Sequence, residues 1–333
     1  MAYISLDKEY SEFNKLVVEN ERIKITVFPE LGAKIYDIID KENDVNFLWH
    51  NLRVRPRHTH YGQNFDDVWC GGWDEILPTV DSCEYRGDKL PYMGELWFKL
   101  WDFRVLSAQG EEVCLYTSTY TSILPFYFER WIYLKDNDSY VHLHYKITNK
   151  GPKTVDFLWG IHPALNISVS HRIDVPGKRC LVGFSSSPEM GFVGQFYKWP
   201  FLHLRNNGSR DMRIIPETNP NLAGGHYITE LEEGWFSLTD TKKKLGIGFI
   251  FPTDLLKVIW VWMMYGGWRG FYGIVPEPWT GYPNILSEAI KKGRQRILEP
   301  DSSLECDVYC LIYSRVRSVS RIVKKSDGFK VVG

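Results

Sequence analysis

The sequence predicts an all-β fold built as one large domain, and three observations carry that prediction. Apolar and polar residues alternate at period two in several runs, turn residues punctuate those runs, and helical periodicity is almost absent. Near the start, Ile23, Ile25 and Val27 alternate with Arg22, Lys24 and Thr26. Further on, Val141, Leu143, Tyr145 and Ile147 alternate with His142, His144 and Lys146, the pattern of a half-buried strand. Segments 128–134, 245–251 and 305–313 are apolar on both faces, as central strands are. Turn signals at 136–138, 149–152, 206–208 and 252–254 separate these runs. The best helical stretch is 285–292, preceded by Pro283-Asn284 and stopped by Gly293. Segment 183–234 is rich in Ser, Asn, Gly and Pro, and reads as long loops around a site. From Arg315 to Lys325 there are five basic residues and no acid, the signature of a solvated edge strand guarded by charge. No repeat or hydrophilic linker divides residues 1–333, so a single domain is expected, with a core over about 15–313 and a basic segment over 314–333.

Composition narrows the function classes. A length of 333 residues suggests two domains at roughly 100–200 residues each, but all-β units run to about 250. Hydrophobic residues are 44% and charged residues 24%, which is the balance of a folded globule. Forty Lys and Arg against 41 Asp and Glu leave a net charge of −1, without the basic excess a nucleic-acid binder needs. The apolar run 258–265 is bounded by Lys257 and Gly266, far short of the roughly 20 residues of a spanning helix. Charge enters the amino-terminal stretch by Asp7, Lys8 and Glu9, too early for a secretory leader, so a cytoplasmic protein is expected. The sequons at Asn137, Asn166 and Asn207 then have no glycan to accept. The six cysteines form no C-x-x-C pair. Cys306 and Cys310 would sit about 13 Å apart along a strand, too far to bridge, so reduced thiols are expected.

Two sets of segments could carry chemistry. The first is Gly71-Gly72-Trp73-Asp74-Glu75 with Tyr92-Met93-Gly94-Glu95. The second is Trp159-Gly160-Ile161-His162-Pro163 with Gly266-Gly267-Trp268-Arg269-Gly270 and Pro276-Glu277-Pro278-Trp279. Each places titratable groups among glycines, prolines and tryptophans. Aromatic faces beside directional polar groups suit a sugar, whose C–H faces stack while its hydroxyls need partners. Each element also has a plainer structural reading: tryptophan as core, Glu277 as a turn residue, His162 as a satisfied core histidine. Periodicity alone cannot bring the segments together. His142 and His144 share the polar face of one strand and read as surface residues. His58-Thr59-His60, among Arg53, Arg55 and Arg57, could line the mouth of a site. No third ligand at a telling spacing accompanies either pair, so no metal is expected.

The ordered set of segments resembles the aldose 1-epimerase, or galactose mutarotase-like, family. The resemblance runs over about residues 15–313 through Val27-Phe28-Pro29-Glu30-Leu31-Gly32-Ala33-Lys34, then Gly71–Glu75, then Arg130-Trp131-Ile132 to Thr148-Asn149, Gly160–Pro163 and Glu277–Pro283. It implies a β-supersandwich of two large antiparallel sheets that interconverts the α and β anomers of an aldose without a cofactor. It maps the catalytic carboxylate onto Glu277 and the catalytic histidine onto His162. Mutarotation needs a base for the C1 hydroxyl proton and an acid for the ring oxygen; the carboxylate suits the first role and a histidinium the second. A neighbouring carboxylate would favour the protonated form of His162.

Two departures matter. The family's second histidine, in an H-G pair, is here Met93-Gly94, and a thioether is a poor partner for a sugar oxygen. Tyr92, Arg269, His58 and His60 are alternative donors. The family's sugar-binding arginine has no clear equivalent, and Asp74-Glu75 occupy its neighbourhood. Trp73, Asp74, Glu75, Met93, Glu95, Arg269 and Trp279 are therefore substrate-binding candidates. The expected partner is a small-molecule sugar, with no nucleic acid and no membrane, and a homodimer left open. Two alternatives remain: a non-catalytic sugar-binding or sensing protein, or an epimerase or mutarotase of an acidic, phosphorylated or sulfonated sugar served by Arg57 or Arg269.

Overall fold

The alternating runs are strands. Phe126–Lys135 and Tyr140–Asn149, ten residues each, pair antiparallel from Phe126↔Asn149 to Tyr133↔His142. Their apolar positions are buried and the intervening ones half-exposed, as the period predicts. The computed structural model describes residues 1–7, 13–205, 207–326 and 328–333. Lys8 and Glu9 of the amino-terminal stretch and Asn206 of the expected 206–208 turn lie outside the described residues. Two compact units are formed, Met1–His162 with Thr280–Tyr309, and Pro163–Trp279 with Cys310–Gly333.

In the first unit one antiparallel sheet runs, in spatial order, Gln109–Gly110, Ala2–Asp7, Lys15–Glu19, Ile23–Phe28, Lys34–Asp40, Trp73–Ile76 and Gly160–Pro163. A second runs from Ser303–Ser314 through Tyr140–Asn149, Phe126–Lys135 and Glu112–Tyr120 to Asp102–Ser107. The inner faces of these two sheets meet around a buried polar core. Arg130 and Tyr145 of the second sheet reach Glu75 of the first, at 3.3 and 2.9 Å, and Trp159 Nε1 donates to the same carboxylate at 3.2 Å. Arg130 also donates to the Ala33 carbonyl. The expected turn at 149–152 is fixed by Asn149, whose side chain accepts from Gly151 N–H and donates to Lys153 and Leu298 carbonyls. The expected helix is Leu286–Lys291, closed by Gly293 at φ +63°.

In the second unit one sheet runs Tyr272–Trp279, Val258–Tyr265, Ala223–Thr229, Arg179–Ser185 and Phe196–Lys198, and the other includes His171–Asp174, Trp235–Asp240 and Leu245–Ile250. The apolar run 258–265 is thus a central strand, and no helix of the described residues is long and apolar enough to cross a membrane. Segment 183–234 is not only loop. It holds Phe196–Lys198, Phe201–His203, Ser209–Asp211 and Ala223–Thr229, whose short length and glycines hid their period. The basic carboxy-terminal segment folds as a hairpin of Arg321–Lys325 on Gly328–Val332, with Arg321 paired to Glu233 at 2.7 Å. All six cysteines are free thiols. The fold class expected from the sequence, an all-β sandwich of large antiparallel sheets, is the one observed.

Candidate functional site

In the first unit His162 lies on the strand Gly160–Pro163, 5% exposed, against the rings of Trp69 and Phe65 at 5.4 and 6.0 Å. A four-residue helix, Phe65–Val68, presents those rings; its start is capped by Asn64, which accepts from Asp66 N–H. Chain entry to the adjacent strand depends on Gly71. Its φ is +91°, and a Cβ there would stand 2.1 Å from the Trp49 carbonyl, so only glycine fits. Beyond it Asp74, 2% exposed, pairs with Lys34 and accepts from Trp69 Nε1 at 3.2 Å. Burial raises the Asp74 carboxyl, and the Lys34 ammonium opposes that shift.

Burial, joined by the nearby Lys34 ammonium, depresses the His162 imidazole to about 3. This corrects the expectation of a histidinium favoured by a carboxylate: the charge that reaches the ring is positive, and at neutral pH the imidazole is neutral. His226 of the second unit is depressed to about 4 by burial, with its ring held between Tyr197 Oη and the Met190 carbonyl, both at 2.9 Å. In the unfolded chain both histidines titrate near 6.5, so between that value and about 4 the unfolded state binds more protons and stability falls as pH drops. Each contributes up to about 1.4 kcal/mol per pH unit. We expect His226→Gln to flatten the decline between pH 6.5 and 5, read from urea midpoints; an unchanged slope would contradict the assignment.

The remaining first-unit candidates divide. Trp73 is fully buried in the core strand opposite Ile35. The Glu75 carboxyl is occupied by Arg130, Tyr145 and Trp159, and burial pushes it up to about 7 against those donors. Glu95 is likewise committed. Its oxygens accept from the backbone N–H of Ser122, Ile123 and Leu124 at 2.6, 2.7 and 3.2 Å, so it organises a turn. Met93 is 4% exposed in a left-handed turn at φ +60°. Tyr92 reaches Asp66 at 3.4 Å, and His58 stacks near Phe13 at 4.5 Å. Arg57 is exposed and donates to the Asp67 carbonyl. A cavity of about 20 Å³ is lined by Lys34, Thr59, Phe65, Trp69, Asp74 and Trp97, room for one water. His142 and His144 both reach Asp307 Oδ1, at 2.7 and 3.0 Å, on the outer face of the sheet.

In the second unit Glu277 sits on Tyr272–Trp279, 2% exposed, directly opposite Trp260 of the neighbouring strand. Trp279 Nε1 donates to Glu277 Oε2 at 3.1 Å. Burial raises the carboxyl well above its ordinary value, and the Trp279 bond opposes only part of that. Opposed residues of an antiparallel pair share a face, so Trp260, Trp262 and Glu277 line one side of this sheet. Trp260 and Trp262 lie nearly parallel, 18° apart in plane, with Tyr227 at 4.3 Å from the first and Trp268 and Phe184 at 5.3 and 5.1 Å from the second. The Trp260 ring spreads over Gly225 and Gly183, where an added Cβ would come within 2.0 and 2.6 Å of it. Sequence reasoning missed Trp260 and Trp262 because both faces of that run are apolar; the Trp-x-Trp spacing was the available signal. Arg269 lies at the exposed tip of the hairpin that joins Val258–Tyr265 to Tyr272–Trp279, and the five steps of strand from Tyr272 to Glu277 span roughly 17 Å. A separate cavity of about 660 Å³ is lined by Glu189, Arg210, Asp211, Glu217 and Asn219, none of them a sequence candidate.

No protein-family model and no curated protein matches the sequence. Solved structures do. A galactose mutarotase-like protein from Clostridium acetobutylicum superposes with a TM-score of 0.70 at 12% identity, covering 94% of this chain and 99% of the other. The fold is that of the galactose mutarotase-like proteins. A Klebsiella pneumoniae protein provisionally named an aldose 1-epimerase gives 0.73 at 14% identity, over 93% of this chain and 83% of its own. A galactose mutarotase related enzyme from Lactobacillus acidophilus gives 0.59 at 17%, over 90% and 97%. Identities this low establish the mutarotase-like fold; the chemistry has to be argued from the residues.

Proposed function

We propose that this protein is an aldose 1-epimerase-like isomerase that interconverts the α and β anomers of an aldose. The observation that carries the proposal is the Glu277 carboxyl, sealed at the end of a row of tryptophans on a glycine-floored sheet face. Indole faces stack on the C–H face of a pyranose, and a carboxyl beside them is placed to exchange a proton with a hydroxyl or ring oxygen.

The shifts of Glu277 and His162 support a particular division of labour. Burial raises the proton affinity of the Glu277 carboxyl, which suits it to donate, and lowers that of the His162 imidazole, which suits it to accept. Glu277 then protonates the ring oxygen while His162 takes the C1 hydroxyl proton. The C1–O5 bond breaks, the C1–C2 bond rotates, and the hydroxyl at C5 adds to the other face of the aldehyde as both protons return. The opposite placement of the proton has the same total protonation, so a pH–rate profile cannot separate the two. Ring ¹⁵N shifts can: those of His162 should remain neutral from pH 8 to pH 5, and protonation near 6.5 would reverse the roles.

The test is NMR exchange between anomers over a panel of neutral and anionic aldoses. Acceleration with one or more of these sugars is expected. Trp260→Ala should raise KM about tenfold or more, through lost stacking, with a smaller change in kcat. Met93 in place of a histidine favours one second reading, a sugar-binding protein without turnover. Saturable line broadening with no exchange would establish it.

A further inference from the structure

The outer face of the first unit's second sheet carries aromatic residues that the proposed chemistry does not use. Tyr116, Trp131 and His144, on three adjacent strands, form a row with ring centroids 4.9 and 5.3 Å apart. A parallel row one step along the strands joins Tyr133, His142 and Tyr309 at 5.2 and 4.7 Å. The spacing is that of the strands themselves, about 4.8 Å. Within the second row the planes differ by 21° and 15°, so at these distances the rings overlap like shingles and each keeps part of a face uncovered. Every one of these rings is partly exposed.

Cross-strand aromatic pairs stabilise any sheet, but this face has two further properties. The outward positions on Glu112–Tyr120, Phe126–Lys135, Tyr140–Asn149 and Ser303–Tyr309 hold rings with polar tips, carboxylates, hydroxyls, lysines and the Cys114 thiol, while the edge strand Asp102–Ser107 exposes Val105 and Leu106. The core of a surface that docks another protein is depleted of charged residues, and here Glu129, Asp307 and Lys146 lie between the rings. Its polar groups are also aimed between the rings: Asp307 joins His142 and His144, and Glu129 accepts from Tyr116 Oη at 2.8 Å. The fixed charges there, Glu112, Glu129, Glu305 and Asp307 against Lys135 and Lys146, are acidic in sum and repel polyanions.

We propose that this face binds a chain of neutral sugar residues, an uncharged oligo- or polysaccharide laid across the strands with successive rings stacked on successive aromatics. Rows three strands long fit an oligosaccharide rather than a monosaccharide. Nucleic acids and acidic glycans offer comparable rings or length but bring the wrong charge. The face belongs to the first unit, and the proposal does not depend on the activity of Glu277 and His162.

The test is electrophoresis of the full chain through native gels cast with hydroxyethylcellulose, galactomannan or glycogen, and with polygalacturonate as the anionic control. Retardation by at least one neutral glycan and none by polygalacturonate is expected. Trp131→Ala and Tyr309→Ala should each weaken it tenfold or more, while Trp131→Phe keeps most of it. A single cooperative thermal transition, lowered by no more than the lost aromatic pairs explain, and unchanged anomer exchange would show that the variants are folded and the proposed catalysis intact. The proposal is overturned if no neutral glycan retards the protein, or if folded Trp131→Ala is retarded as strongly as wild type. It is equally overturned if the protein elutes as a dimer that Trp131→Ala dissociates, which would give the face to a second copy.

Discussion

Glu277→Gln is expected to slow anomer exchange by about 10²–10⁴-fold, the usual contribution of a positioned proton-transfer group. The amide can still accept from Trp279 Nε1, so the local hydrogen bond survives and the fold should be unaffected. It cannot surrender a proton to the ring oxygen and recover it in the next half-reaction. Burial raises the Glu277 carboxyl well above its ordinary value, and Gln has the charge of its protonated form, so the substitution removes the transferable proton with little change in electrostatics. Sugar affinity, read from line broadening, should change little. Exchange within threefold of wild type, in folded protein, would remove Glu277 from the chemistry.

The largest stability effect is expected at Glu75→Gln, about 1–3 kcal/mol, because the amide turns one acceptor oxygen into a donor and leaves one of the buried donors Arg130, Tyr145 and Trp159 without its partner. Arginine does not deprotonate in proteins. The converse change is milder. In Arg130→Met the Glu75 carboxyl, already pushed up to about 7, takes a proton and remains bonded to Tyr145 and Trp159. The double variant, with one donor fewer, should therefore recover part of the Glu75→Gln loss. The sign of the pH effect follows: Glu75 is raised in the folded state from an ordinary 4.5, so its contribution is fully present below 4.5 and lost as pH rises through about 7. Urea denaturation of the two single variants and the double settles this, and a Glu75→Gln cost below about 1 kcal/mol would show that the three donors do not depend on both carboxyl oxygens.

Much of the fold was legible in the sequence because half-buried strands advertise themselves. The period-two run from Val141 to Ile147 places its apolar residues on the inner face and His142, His144 and Lys146 outside. Short strands were not legible: Phe201–His203 and Ser209–Asp211 are three residues each, too brief for any period to register. Site residues were legible by type but not by duty. Glu75 and Glu95 sit in segments rich in tryptophan and glycine, as a sugar site would, yet their partners come from residues 27 to 84 positions away, Ser122 of Glu95 and Trp159 of Glu75. No local pattern encodes such pairings. The charge state of His162 was misjudged for the same reason, since the nearby Lys34 is remote in sequence. Trp260 lay hidden in a run that reads as core, and the glycines that give its ring room are on other strands.

The central claim is that Glu277 and His162 serve one reaction, and a double-variant comparison of anomer exchange tests it most directly. Groups that act in a single turnover are strongly non-additive, so losing either one removes most of what both provide. Glu277→Gln and His162→Ala should each bring exchange close to the spontaneous rate, and the combined variant should be no slower than either. Losses that multiply in the double variant, or a His162→Ala protein that exchanges anomers as fast as wild type, would contradict the account.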